Sequence, residues 1–303
     1  LNGLTRLLFF GNYFYGFCAI ALSIEANLQQ HIPLNSITYY LFVFAATVLY
    51  YTHAYISEPV TDPLHRNKRS AWYDQNREFV GWSQLLLTVV CLATGSYLLR
   101  ENWKNLLHLE GWRWLLILIF PLVAALYYGS LSPGSGKRSL RRKGWLKPFV
   151  IGFVWAGAVT VYPVIVSDLE NNRLDTPDLF MFLLTLKNLM YITMLCIMFD
   201  IKDYAADHNS QLKTFVVQYG LRFTIFSLLI PLSIAGLAVF LVFTTLRGFP
   251  LPTILINMIP FLLLITVAYS MHRRKSILYY LAIIDGLMLV KATCGIAGML
   301  FIN

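Results

Sequence analysis

Apolar runs close to the length of a bilayer crossing recur from one end of this 303-residue chain to the other, and that pattern excludes most folds. They fall at about 4–24, 34–56, 79–99, 112–130, 148–166, 178–199, 219–245, 251–271 and 276–301. A helix needs about 20 apolar residues to cross the hydrocarbon core. Hydrophobic residues make up 57% of the chain and charged residues 13%, with a mean hydropathy of +0.61, whereas a soluble domain carries nearer a quarter charged residues. Strands of a membrane barrel would alternate in ten-residue segments, and no such alternation is present. The pattern predicts an all-α polytopic membrane protein, a bundle of about nine transmembrane helices. Pro133-Gly134, Pro177 and Pro250 to Pro252 punctuate the gaps. The first apolar stretch ends without a small-residue cleavage signature and reads as a retained span.

The formal charge of +9 raises nucleic acid or a membrane surface as partners. Its distribution decides. Fifteen Lys and Arg lie in the loops after the second, fourth, sixth and eighth runs, among them Arg66, Lys68, Arg69, Lys137, Arg141, Arg142, Lys143, Lys147, Lys202 and Lys213. Five lie on the other side: Arg100, Lys104, Arg113, Arg173 and Arg247. Cytoplasmic loops carry the excess of basic residues, so the N-terminus is expected in the cytoplasm and the C-terminus outside. The positive charge is then mostly topological, and no nucleic-acid partner is expected. The four cysteines fall inside apolar runs without metal-ligand spacing and read as small buried hydrophobes.

The sixth run ends abruptly in D-I-K-D-Y-A-A-D-H-N-S-Q-L-K-T-F-V-V-Q-Y-G, residues 200–220. Asp200, Asp203 and Asp207 are spaced i, i+3, i+7, which places them on one face of a helix. Like charges so placed repel unless a cation sits among them, and hard oxygen ligands suit Mg²⁺ bridged to phosphate. Lys213 could meet the remaining phosphate charge. The plainer alternative, a solvated acidic helix end, is equally consistent with spacing alone.

D-x-x-D-x-x-x-D followed by K-T and a glycine resembles the second aspartate-rich motif of the UbiA superfamily of intramembrane prenyltransferases. The likeness extends to the span count and to acidic loops after the second and sixth spans. The first motif of that superfamily is degenerate here: Glu58 and Asp62 align with its last two acidic positions, while Ala54 and Tyr55 replace its leading Asn-Asp. Glu58 and Asp62 are candidate ligands of a second metal, or part of a solvated loop. Arg66, Lys68 and Arg69 follow them as candidate diphosphate contacts. Tyr128, Ser130 and Lys137 resemble the family's Tyr-Ser pair and lysine, with Tyr128 as a cavity residue and Lys137 at the diphosphate or simply part of the topological signal.

The resemblance implies one UbiA-like domain over 1–303 surrounding a central cavity, capped on the cytoplasmic side by loops 57–78 and 199–217. It implies Mg²⁺ held by Asp200, Asp203 and Asp207, and transfer of a prenyl group from a polyprenyl diphosphate to a lipophilic or aromatic acceptor, such as a quinone precursor. The expected setting is a bacterial inner membrane or its equivalent, with membrane lipid around the bundle. The degenerate motif keeps a second expectation open, a non-catalytic relative that binds a lipid or quinone or serves as a membrane subunit with a protein partner.

Polar residues inside spans usually face the bundle interior. Lys187 and Asn188 in the sixth run, and Asp285 and Lys291 in the ninth, are therefore expected to meet partners on other helices, with Lys187 structural and Asn188 a cavity residue. Aromatic residues, 15% of the chain, divide between interfacial belts and an inward wall able to stabilise an allylic cation through π faces.

Overall fold

The structure, a computed structural model, describes residues 3–57, 68–128, 143–171, 179–209, 211–273 and 279–301. Among them are helices and no strand. We label them α1 (Gly3–Phe10), α2 (Tyr13–Gln30), α3 (Ile37–Ser57), α4 (Lys68–Gln75), α5 (Arg77–Glu101), α6 (Trp103–Leu107) and α7 (Gly111–Tyr128). There follow α8 (Lys147–Glu170), α9 (Leu179–Lys202), α10 (Tyr204–Asn209), α11 (Phe215–Arg247), α12 (Leu251–Ser270) and α13 (Gly286–Phe301). This is an all-α integral membrane protein.

Six described helices are long and apolar enough to span a membrane, seven if the bent pair α1–α2 counts as one. The expected nine is not reached on this measure. Tyr39, Tyr40, Tyr50, Tyr51, His53 and Tyr55 lower the hydropathy of α3, and α7 is apolar but short, over Gly111–Tyr127. The first run also differs from a straight span. Asn12 adopts a left-handed φ of 65°, and α1 and α2 meet at a 64° bend. Beyond the bend α2 runs to Gln30, six residues past the expected end of that run.

Packing runs from α2 to α13, α12, α11, α9 and α8 and back to α2, so these helices close on one another. Outside them α5 lies on α3 and α7 on α8. The apolar core fills the interior with Tyr191, Met194, Met198, Phe240 and Phe261. The outer helix α5 buries only 11% of its most apolar window, against 56% for α9, as expected of a helix that faces lipid rather than protein.

Backbone irregularities have local causes. Tyr162 and Ile230 donate to carbonyls five residues back, closing π turns at Gly157–Val161 and Thr224–Leu229. Pro163 and Pro231 follow directly. A proline has no N–H to give to the residue four before it, and a wider turn is one way to take up the lost bond. Gly220 breaks α11 at φ +81°; a side chain there would be strained. Its carbonyl accepts from the Thr224 hydroxyl at 2.9 Å.

At one end of the bundle Arg113 pairs with Asp168 at 3.0 Å, and Ser36 donates through its hydroxyl (2.6 Å) and its N–H (3.0 Å) to Glu170. Arg247 donates to the Gln30 carbonyl. Asp200 marks the opposite end.

Candidate active site

Helix α9 carries the aspartates because its apolar face stops at Phe199 while its backbone bonding does not. Asp203 N–H reaches Phe199 O at 3.1 Å, and Asp207 N–H reaches Asp203 O at 2.9 Å. The helical path thus continues through the turn between α9 and α10. It then closes on itself, with Leu212 N–H on Asp207 O at 2.8 Å.

The three carboxylates are not equivalent. Asp200 is 1% exposed, Asp207 is buried, and Asp203 is half-exposed beside Lys202 at 3.2 Å. Burial pushes the Asp207 carboxyl up to about 6; Lys147 pulls the other way, and the negative charges of Asp200 and Asp203 add to the rise.

Lys147 is the residue that sequence reasoning did not single out. Its Nζ lies 2.8 Å from Asp200 Oδ1. It opens α8, where Gly144 brings the preceding turn onto the 213–214 backbone: a Cβ on Gly144 would sit 2.6 Å from Thr214 N. This close approach, together with the packing of α8 on α9, sets Lys147 over Asp200. The sequence signal was a lysine at the very start of a span, indistinguishable there from its basic neighbours.

The second Asp200 oxygen, Oδ2, is buried without a hydrogen-bond partner among the described residues. Buried carboxylate oxygens are rarely left so. Among the described residues no group of three or more His, Cys, Asp or Glu is gathered closely enough to hold a metal by itself. Mg²⁺ does not need such a cage, since it is usually held by one or two carboxylates together with phosphate oxygens and water. The open Asp200 oxygen, with Asp207 and Asp203 near it, fits that donor set.

The other expected site residues are spread more widely. Lys213 is exposed on the turn against Gly144. Arg69 is held elsewhere: its guanidinium donates to Phe10 O at 3.1 Å and to Asn12 Oδ1, and lies 4.1 Å from the Tyr55 ring centroid. It therefore ties α4 to the α1–α2 bend. Asn188 donates to Thr160 Oγ1 at 2.7 Å, towards the π turn of α8. Glu58, Asp62, Arg66, Ser130 and Lys137 lie outside the described residues, as do the side chains of Lys68 and Tyr128. The cap expected as loops is in part helical, since α4 and α10 both fall within it.

Fold and site together define a polytopic intramembrane protein with a buried carboxylate–lysine pair at one end of a helical bundle. Its architecture is that of UbiA proteins. A digeranylgeranylglyceryl phosphate synthase of membranes superposes over 99% of this chain and 99% of its own, with a TM-score of 0.57 and 13% identity. A UbiA homolog from Aeropyrum pernix K1, in its apo form, superposes over 94% of this chain and 95% of its own, with a TM-score of 0.59 and 14% identity. No family model and no curated protein matches the sequence. At such identities the likeness is one of fold.

Proposed function

We propose that the protein transfers a prenyl group from a polyprenyl diphosphate to a lipophilic acceptor within the membrane, with the diphosphate at the Asp200 end. The observation that carries this reading is the buried Asp200 carboxylate, one oxygen on Lys147 at 2.8 Å and the other open, in a UbiA fold. Asp200, with Asp207 or Asp203 as a second carboxylate, would hold Mg²⁺ together with phosphate oxygens. When bound, Mg²⁺ supplies positive charge to a diphosphate whose negative charge grows as the C1–O bond breaks.

The chain's own groups do the rest. Lys147 offers donors on the leaving-group side, with Lys213 on the adjoining turn as a second cation. Lys137, Arg66 and Lys68 remain candidates for the same charge. Apolar packing around Tyr191, Met194 and Met198 keeps water from the allylic carbon. The excess of basic residues in the loops at the Asp200 end supports a cytoplasmic position for it.

The test is turnover and binding of radiolabelled geranylgeranyl diphosphate by purified protein, with Mg²⁺ and with EDTA, in wild type and in Asp200→Asn and Asp203→Ala. The reading expects Mg²⁺-dependent transfer that both variants lose while melting like the wild type. Undiminished turnover in both variants would sink the metal assignment. Absence of diphosphate binding in the wild type would overturn the function and favour a lipid- or quinone-binding relative.

A further inference from the structure

Glu25, Asp168 and Asp200 are each buried and bonded to a cation, and the three pairs are built differently. Glu25 has both oxygens taken, by Lys187 at 3.2 Å and Lys291 at 2.6 Å, and neither lysine side chain is more than 3% exposed. Asp168 is held by Arg113, whose side chain is 2% exposed. Asp200 has a cation on one oxygen alone, Lys147 Nζ at 2.8 Å from Oδ1, and that lysine side chain is 20% exposed. Its other oxygen, Oδ2, has no hydrogen-bond partner among the described residues. Asp285, also buried with one such oxygen, accepts from a neutral donor, the Tyr15 hydroxyl at 2.9 Å.

A buried pair that serves stability alone gains from having its remaining lone pairs satisfied. The Asp200 pair leaves them open and sets its cation where solvent reaches the stem. Lysine is a point charge on a flexible four-carbon stem, whereas arginine grips a carboxylate with a rigid fork. The contact can therefore open by rotation of one side chain. The backbone beneath it is pinned. A Cβ on Gly144, three residues earlier, would lie 2.6 Å from Thr214 N, and the Lys147 N–H bonds to Lys143 O at 3.2 Å. A displaced ammonium thus stays within its stem's reach of Asp200.

Position adds a second reason. Lys147 is the first residue of α8, where the helix dipole disfavours a cation. Asp200 compensates for that in the unliganded protein, and an anionic ligand at the same helix start would do so too.

We propose that Lys147 is a built-in stand-in for the metal: it neutralises Asp200 in the unliganded protein, keeps a divalent cation off it, and is passed to the diphosphate when metal and diphosphate enter together. This rests on the prenyl-transfer reading and its Mg²⁺ at Asp200. A divalent cation arriving alone would meet a carboxylate already balanced by an ammonium at contact distance, and like charges so close repel. A diphosphate brings acceptor oxygens for Lys147 and leaves Asp200 to the metal. Coupling of this kind is reciprocal, so metal and diphosphate each raise the other's affinity. Lys147 carries part of that coupling and ties metal loading to the presence of substrate.

The experiment uses the full chain in phosphatidylcholine nanodiscs, with Mn²⁺ standing for Mg²⁺ so that free metal is counted by its electron paramagnetic resonance signal. Without diphosphate, Lys147→Met should bind Mn²⁺ about 10- to 100-fold more tightly than wild type, within the usual range of coupling between two ligands. At saturating Mn²⁺ the same variant should bind radiolabelled geranylgeranyl diphosphate more weakly than wild type, the opposite sign. Lys147→Gln, which keeps a donor for Oδ1 without the charge, should show the same gain in Mn²⁺ affinity and serves where the methionine variant fails to fold. Asp200→Asn added to Lys147→Met should abolish the gain. Mn²⁺ affinity no higher in either lysine variant than in wild type overturns the proposal, and Mn²⁺-dependent diphosphate binding by wild type would then leave the prenyl-transfer reading standing. A gain that survives Asp200→Asn places the metal elsewhere and overturns it as well. Absence of diphosphate binding in wild type fells the prenyl-transfer reading and this one together.

Discussion

Glu25 stands between two lysines in the middle of the bundle, and the imbalance makes a sharp forecast. Its Oε2 accepts from Lys291 at 2.6 Å and its Oε1 from Lys187 at 3.2 Å. Gln29 ties in through Lys187 at 2.7 Å and Asn257 at 2.9 Å. The three charged side chains are each no more than 3% exposed, and four helices, α2, α9, α12 and α13, meet here. A Cβ on Gly295 would lie 2.8 Å from Glu25 Oε1, so α13 must pass with a bare backbone. Two cations share one anion, with Lys187 also 5.6 Å from the Phe240 ring and Lys291 5.8 Å from that of Tyr191. Replacing Glu25 by Gln keeps the shape and strands both lysines; removing one partner of a buried pair costs about 3–5 kcal/mol. Lys291→Met leaves the Glu25–Lys187 pair, now neutral. The lost charge-assisted bond, about 1.5–3 kcal/mol, is offset by the removal of the excess buried charge. Each kcal/mol moves the melting temperature by roughly 2–4 °C in chains of 150–250 residues. Glu25→Gln should therefore melt at least about 6 °C below wild type, with Lys291→Met closer to it. The assay is thermal denaturation of the detergent-solubilised protein at one scan rate, since unfolding of such proteins is often irreversible. A Lys291→Met variant less stable than Glu25→Gln would refute the reasoning.

Lys147→Met removes the cation on Asp200 and should raise KM for geranylgeranyl diphosphate by about 10- to 100-fold, the equivalent of a hydrogen bond to a charged group; unchanged KM in steady-state assays would place the leaving group elsewhere. Because burial pushes Asp207 up to about 6, the group is protonated below that pH and anionic above it. Mg²⁺ must compete with the proton at low pH, so half-maximal activation should require more Mg²⁺ at pH 5 than at pH 7, and Asp207→Asn should flatten that dependence. Gly152 lets α8 lie against α9, where an added Cβ would sit 3.2 Å from Leu189 O and would crowd Thr193. Gly152→Ala should cost about 1–3 kcal/mol, as overpacking does, read as a lower melting temperature.

What the sequence made legible was what is local. Three aspartates and a glycine within residues 200–220 sit on one helix end and one chain break, and the structure supplies the reason for the glycine in its positive φ. Partners on other helices were expected for Lys187, Lys291 and Asp285, because lone ionised groups are costly inside a membrane. Their identities were not legible. Glu25 fell just past the expected end of the first apolar run, so the anion that both lysines share went unremarked until α2 proved to extend to Gln30. Lys147 is 53 residues from Asp200, and the packing of α8 on α9, with Gly144 close on the 213–214 backbone, joins them. Composition cannot express such an approach.

The two charged centres on α9 have separable duties. Lys187 and Asp200 are 13 residues apart on that helix, about 20 Å at 1.5 Å per residue. Between them the buried side chains are mainly apolar, Tyr191, Ile192, Met194, Leu195, Ile197 and Met198, with Asn188 and Thr193 among them. Among the described residues no side chain bonds to both the Glu25 network and the Asp200–Lys147 pair, and sites more than about 7–10 Å apart without common partners act additively to within about 0.5 kcal/mol. A protein carrying both Glu25→Gln and Lys147→Met should therefore show the melting loss of the first and the KM change of the second, each undiminished. A melting temperature restored by Lys147→Met would mean that charge at the Asp200 end reaches the Glu25 network through the helix, and the separation argued from α9 would fail.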